Sequence, residues 1–172
     1  MELKRILKLL VIAGAAAALL RAFVVEGIYI ASASMEPALP VGAHVFLDKV
    51  TLRLREPRRG EIVVFRSPVE PDVDLVKRVI AVGGETVELR AKAVFIDGAA
   101  LPEPYAAHRR AEERLEGDDL GPLAVSARTL FVLGDNRDES NDSSVWKDPK
   151  TGEPVRFVPL ASVRGLVRGF YK

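Results

Sequence analysis

The chain opens on an apolar run and then changes rhythm. Residues 9–20 carry no charge and follow Lys4, Arg5 and Lys8. Twelve helical residues cover roughly 18 Å at about 1.5 Å each, short of the roughly 30 Å hydrocarbon core of a bilayer. Extended over 6–25, the helix reaches the about 20 residues that a span needs, with Lys8 snorkelling to the near interface and Arg21 and Glu26 toward the far one. The expectation is one N-terminal anchor in 1–26, its basic start in the cytoplasm and residues 27–172 outside. Two other readings stand beside it. A cleaved secretory signal fits the basic start, the apolar middle and the small triplet Ala31, Ser32, Ala33, although Arg21 and Glu26 interrupt the pattern. An ordinary buried helix is disfavoured because the segment has no polar face.

Beyond Glu26 the apolar positions come in short runs rich in Val, Ile and Phe, separated by Gly, Pro and Asp. Strands are predicted over 43–48, 61–66, 75–82, 86–90, 93–97, 129–133 and 163–170, with turns at 56–60, Gly83-Gly84 and Asp97-Gly98. No helical crossover lies between them, so the fold class is mainly β with antiparallel pairing. The stretch RRAEERLEGDD, 109–119, has too few apolar positions for a core-facing stripe and reads as a solvated helix or loop in an insertion. KDPKTGEP, 147–154, reads as an exposed loop.

Composition narrows the function by exclusion. Within 172 residues, 25 Lys plus Arg stand against 24 Asp plus Glu, so no broad positive field points to nucleic acid. The absence of Cys removes disulfides, thiolate zinc sites and a thiol nucleophile. His44 and His108 are far apart and share no helix-spaced motif, so no metal and no cofactor is expected.

Three segments carry candidate chemistry. Ser32 and Ser34 lie in IASASMEPAL, just after the expected bilayer exit, and a serine hydroxyl is a weak nucleophile until a base takes its proton. Alone, either serine reads as a loop residue. Lys77 falls inside the apolar strand DLVKRVIAV, sharing a face with Leu75, Val79 and Ala81. Burial there lowers an amine's pKa and makes it a base, whereas a lysine at a strand end snorkels or pairs with Asp74. GDNRDESNDS, 134–143, is a polar loop after a strand, and lacks the glycine that an EF-hand calcium loop places sixth. Within it Ser140 is expected to orient the Lys77 amine, and Asp135 to pair with Arg78.

Together these segments resemble the bacterial type I signal peptidases, the Ser-Lys leader peptidases. The nucleophile box is similar to SASMEP at 32–37, and later boxes look like RGEIVVF at 59–65, LVKRV at 75–79, and GDNRD at 134–138 running on to Ser140 and Asp142. The resemblance implies two antiparallel sheets with an inserted subdomain at about 90–127. It implies a membrane-bound serine endopeptidase that removes signal peptides from exported preproteins after Ala-x-Ala type sites, beside the secretion translocon and in contact with lipid. Ser34 would attack, Lys77 would take its proton, and the Ser34 N–H and Ser32 hydroxyl would form the oxyanion hole. Ser140 would hold Lys77, while Asp142 and the Asp135–Arg78 pair would brace the loop. Ile28, Ile30, Val45, Val64 and Val76 would line shallow pockets for small residues. The chain departs from the family pattern at Ala31, Ala33 and Ala38, at Ser144 where an Arg often stands, and in the lengthened KDPKTGEP segment.

Rival functions differ in what they require. A specialised peptidase of the same superfamily would sit among secretion or conjugation genes. A self-cleaving repressor would begin with a DNA-binding unit, whereas this chain begins with a lipid-seeking one. A tethered β-domain without activity would leave Ser34 and Lys77 as ordinary loop and strand residues.

Overall fold

The computed structural model describes residues 2–23 and 25–171, with side chains described for 3–15 and 27–171. The first element is helix α1 (Glu2–Phe23), and strand β1 (Val25–Tyr29) follows almost at once. Helix therefore stops short of the expected residue 25. Among the described residues, no helix is long and apolar enough to cross a membrane. The anchor expected over 1–26 includes 16–26, whose side chains lie outside the described set.

The rest is antiparallel β-structure. In chain order come β2 (His44–Asp48), the single-turn helix α2 (Thr51–Leu54), β3 (Ile62–Arg66), β4 (Asp74–Val82), β5 (Thr86–Arg90), β6 (Ala93–Ile96) and β7 (Ala99–Ala100). They are followed by β8 (Leu120–Ala124), β9 (Thr129–Leu133), β10 (Val158–Pro159) and β11 (Val163–Tyr171). One sheet has seven strands in the order β1-β2-β11-β3-β4-β9-β10, and a second has four, β7-β6-β5-β8.

β4 and β9 belong to two cores at once, which explains their near-continuous apolar sequences. One face gives Val79, Leu130 and Val132 to a cluster with Val63, Phe65, Trp146 and Leu166. The other gives Ile80, Phe131 and Leu133 to a cluster with Val87, Leu89, Val94 and Ile96 of the four-stranded sheet. Each such side chain contributes about 1.5–3 kcal/mol on burial. A third, smaller cluster of Ile30, Met35, Leu39 and Val45 lies beneath the segment after β1.

Turn chemistry sets the small sheet. The β6–β7 hairpin closes on Asp97-Gly98, both at positive φ, as that dipeptide predicts. The β5–β6 hairpin uses Ala91-Lys92, also both at positive φ, where side chains are disfavoured. Lys92 is held there by its ammonium, 3.1 Å from Asp138 and 3.5 Å from Asp118. The charged stretch expected to be solvated is thus partly tied down: 109–119 is loop and turn, with the Arg110 N–H donating to Asp138 and Asp118 paired with Lys92.

Two strand edges near one another are left open. Among the described residues β1 pairs with β2 alone. β4 pairs with β3 along 74–78, but its pairing with β9 begins only at Arg78.

Candidate active site

Between those edges runs a cleft of about 220 Å³, lined on one side by residues 28–32 and on the other by 73–77, with Ser34 and Met35 in its wall. Its lining is mostly apolar; Ser32, Ser34 and Lys77 gather in its wall, and Asp74, which also lines it, is paired with Arg164.

Ser34 sits in a 3₁₀ turn, Ala33–Met35, preceded by Ser32 in an extended conformation. Met35 is 1% exposed and is driven into the cluster with Ile30, Leu39 and Val45, which fixes the turn and leaves the Ser34 hydroxyl facing the cleft. The Ser34 Oγ lies 2.7 Å from Lys77 Nζ and 3.2 Å from Ser32 Oγ. Lys77, 3% exposed, is carried by β4 opposite Val63 of β3. Burial pulls its amine down from the ordinary lysine value to about 8, against the opposing pull of the Asp142 and Asp135 charges. An amine with that value is neutral in about a tenth of molecules at pH 7 and about half at pH 8, and in that form can accept the hydroxyl proton it touches.

The GDNRD loop grips this turn through the backbone. Asn136 donates its main-chain N–H to the Ser34 carbonyl at 3.1 Å and its Nδ2 to the Ala33 carbonyl at 3.2 Å. Gly134 provides the room: a Cβ there would collide with the Ser34 carbonyl and with Ser140 Oγ. Asp142, 2% exposed, accepts from the Gly134 N–H at 2.9 Å and from the Ser144 N–H and hydroxyl at 3.0 and 2.8 Å. Arg78 and Asp135 form a two-pronged pair at 2.7 and 2.6 Å, and Arg78 also donates to the Gly60 carbonyl.

Two expected placements are not found. Ser140 does not bond Lys77: its Oγ is buried with no hydrogen-bond partner, because the loop seats it over Gly134 while the amine turns to Ser34. Val45 and Val64 do not line the cleft. Both are fully buried, Val45 within the cluster below and Val64 paired with Val76 from its place on β3, so of the five expected residues Ile28, Ile30 and Val76 line the cleft.

Other contributors carry no sequence motif. Glu103 clamps Arg137 through both guanidinium nitrogens at 2.5 and 2.9 Å, and Arg137 donates to the Gly134 carbonyl. Tyr105 lies 4.0 Å beneath the Arg78 guanidinium and donates to Glu103, burial having pushed its hydroxyl well above the usual tyrosine range. At the rim, Arg109 pairs with Glu36 at 2.7 Å.

These features have counterparts in known proteins. The family described as signal peptidase, peptidase S26, matches residues 3–171. A probable signal peptidase I-2 of Synechocystis sp. is 38% identical over 155 residues, which cover 84% of this chain and 68% of that protein. A signal peptidase I of Bacillus licheniformis is 36% identical over 140 residues, covering 79% and 75%. The crystal structure of a signal peptidase I from Enterococcus faecalis superposes with a TM-score of 0.50 at 31% identity, over 66% of this chain and 98% of that one. By the family match and these relatives, the chain belongs to the signal peptidase family, peptidase S26, as a serine endopeptidase of the bacterial type I group.

Proposed function

We propose that this chain removes N-terminal signal peptides from exported preproteins by a Ser-Lys dyad, cutting after small residues at the membrane surface. One observation carries the reading: a lysine amine 3% exposed and 2.7 Å from a serine hydroxyl, at the polar end of an apolar cleft. Neutral Lys77 takes the Ser34 proton as Oγ attacks the scissile carbonyl. The Ser34 N–H and Ser32 hydroxyl receive the oxyanion, each such donor contributing about 2.7–4 kcal/mol to the transition state. Lys77 then returns the proton to the leaving amine and activates the water that opens the acyl-enzyme. Arg78–Asp135 and Asp142 hold the supporting loop.

The cleft favours an extended peptide. The open edges of β1 and of residues 74–77 of β4 offer unpaired main-chain groups to a strand laid between them. Ile28, Ile30 and Val76 leave shallow space beside it, which suits Ala-sized side chains.

The membrane-bound part of the reading rests on the apolar N-terminal segment and on an aromatic face. Tyr29, His44, Tyr171 and Phe46 meet ring to ring in succession across β1, β2 and β11, with Tyr29, Phe46 and Tyr171 each about half exposed. Aromatic rings of this kind gather at bilayer interfaces. The face begins six residues after α1 ends.

The test is cleavage of a preprotein by detergent-solubilised enzyme. Ser34→Ala and Lys77→Ala are each expected to lose at least about a thousandfold in rate. Wild-type activity rises with pH through about 8 as Lys77 loses its proton. Wild-type rates in both variants would end the Ser-Lys reading.

A further inference from the structure

Asp142 presents a problem of charge. It is buried, and the groups bonded to it, the Gly134 N–H and the Ser144 N–H and hydroxyl, are all neutral. A buried carboxylate needs a cation nearby as well as hydrogen bonds. Lys77 is one cation that feels it. If it were the sole counter-charge, Asp142 would hold the proton on the base.

A second cation, Arg156, arrives just beyond the 147–154 loop. In KDPKTGEP the chain doubles back, Lys147 bridging Pro154 and Asp148 accepting the Lys150 and Thr151 N–H groups. Val155 N–H then bonds the carbonyl of Trp146, which is buried in the core. Continuing that antiparallel register sets Arg156 opposite Val145, beside Ser144. There its Nη1 donates to the Ser143 carbonyl at 3.1 Å and to the Ser144 carbonyl, the two residues that follow Asp142. Burial pulls its guanidinium below the ordinary arginine value, against the opposing pull of the Glu116 and Asp142 charges.

The other charges nearby are committed elsewhere. Across the small cavity beside Asp142 and Ser144 stand Lys92, His108, Glu116, Asp118 and Arg137. Lys92 bonds Asp138 and Asp118, Arg137 bonds Glu103, and Glu116 bonds Lys147. Burial and the Arg137 charge keep His108 below its ordinary range, hence neutral. Asp135, which also faces Lys77, is taken by Arg78.

We propose that Arg156 is a positioning residue of the Ser-Lys pair, which shares the charge of Asp142 and so leaves Lys77 free to give up its proton. This rests on the Ser-Lys reading above. The lengthened loop and the serine at 144 then form one arrangement: the loop delivers a guanidinium to a position whose own side chain carries no charge.

The experiment is the pH–rate profile of preprotein cleavage by full-length enzyme. Arg156→Gln keeps a donor for the two carbonyls and removes the charge. The acid limb is expected to move up by about one pH unit, lowering the rate near neutrality about tenfold and restoring it to within about threefold at high pH. Arg156→Lys keeps the limb in place. A uniform loss at every pH, or a limb that does not move, overturns the proposal. If Arg156→Gln does not fold, Asp142→Asn tests the link from the other side: its limb moves to lower pH, and an unmoved limb refutes it. Ser34→Ala run alongside separates the two readings. Cleavage by that variant sinks the Ser-Lys mechanism, whereas an inactive Ser34→Ala with an unshifted Arg156→Gln sinks this inference alone.

Discussion

Lys77 and Arg78 are consecutive residues of one strand, and β4 treats them in opposite ways. Lys77 is buried with, among the described residues, a single serine hydroxyl as its side-chain hydrogen-bond partner. Arg78 is surrounded: two bonds to Asp135, one to the Gly60 carbonyl, and an aromatic ring beneath it. Alternation of side chains along the strand sends them to different environments, and the chemistry follows. The amine with few partners is the one that can change protonation state. The guanidinium with many is the one that keeps the loop still. On the proposed mechanism, reactivity comes from partners withheld, and order from partners supplied.

That contrast breaks most sharply with Lys77→Met. Cleavage is expected to fall at least about a thousandfold, while the fold becomes more stable, because a buried charge gives way to an apolar side chain. The gain depends on pH in a definite direction. Below pH 8 both native and unfolded chains hold the Lys77 proton, and the full cost of burying it, about 3 kcal/mol, is present. Between about 8 and the ordinary lysine value the unfolded chain binds more protons, so wild-type stability rises with pH and the advantage of Lys77→Met fades. Denaturant unfolding of the two proteins at pH 7 and 10 measures this, and a gap that stays constant contradicts it.

The neighbour should behave in reverse. Arg78→Met leaves Asp135, 1% exposed, without its cation, and is expected to cost about 3–5 kcal/mol in unfolding free energy along with cleavage rate. A variant as stable as wild type would mean that Asp135 is satisfied by its backbone surroundings alone. The smallest effect belongs to the rim. Arg109 pairs with Glu36 beside the Ser34 turn, but its side chain is 56% exposed, so Arg109→Ala should change stability by less than about 1 kcal/mol and the rate by less than about twofold. A larger loss of rate would place that ion pair in contact with substrate.

How much of this could be read from the residues depends on range. β4 was legible because DLVKRVIAV is apolar on both faces, and it does serve two cores. β1 and β8 were not, since Glu26 and Gly27 in one and Gly121-Pro122 in the other hide the strand signal. The boxes around Ser34, Lys77 and Asp135 mark residues that the fold brings together, yet spacing says nothing of which way a side chain turns. Hence Ser140 Oγ lies over Gly134 with no bond to Lys77, and Val45 and Val64 sit behind the cleft wall. Glu103, Tyr105 and Arg156 were invisible for a different reason. Each acts on the loop from a distant segment, through contacts that no local periodicity encodes.

Gly134 shows how narrow the margin is. Its φ is ordinary, so backbone freedom is not what excludes a side chain. Space is, with the Ser34 carbonyl on one side and the Ser140 hydroxyl on the other. A library of substitutions at this codon would therefore return almost nothing active, although an alanine would fit the local dihedrals. The tolerance of the site to mutation is set here by the volume of one methyl group.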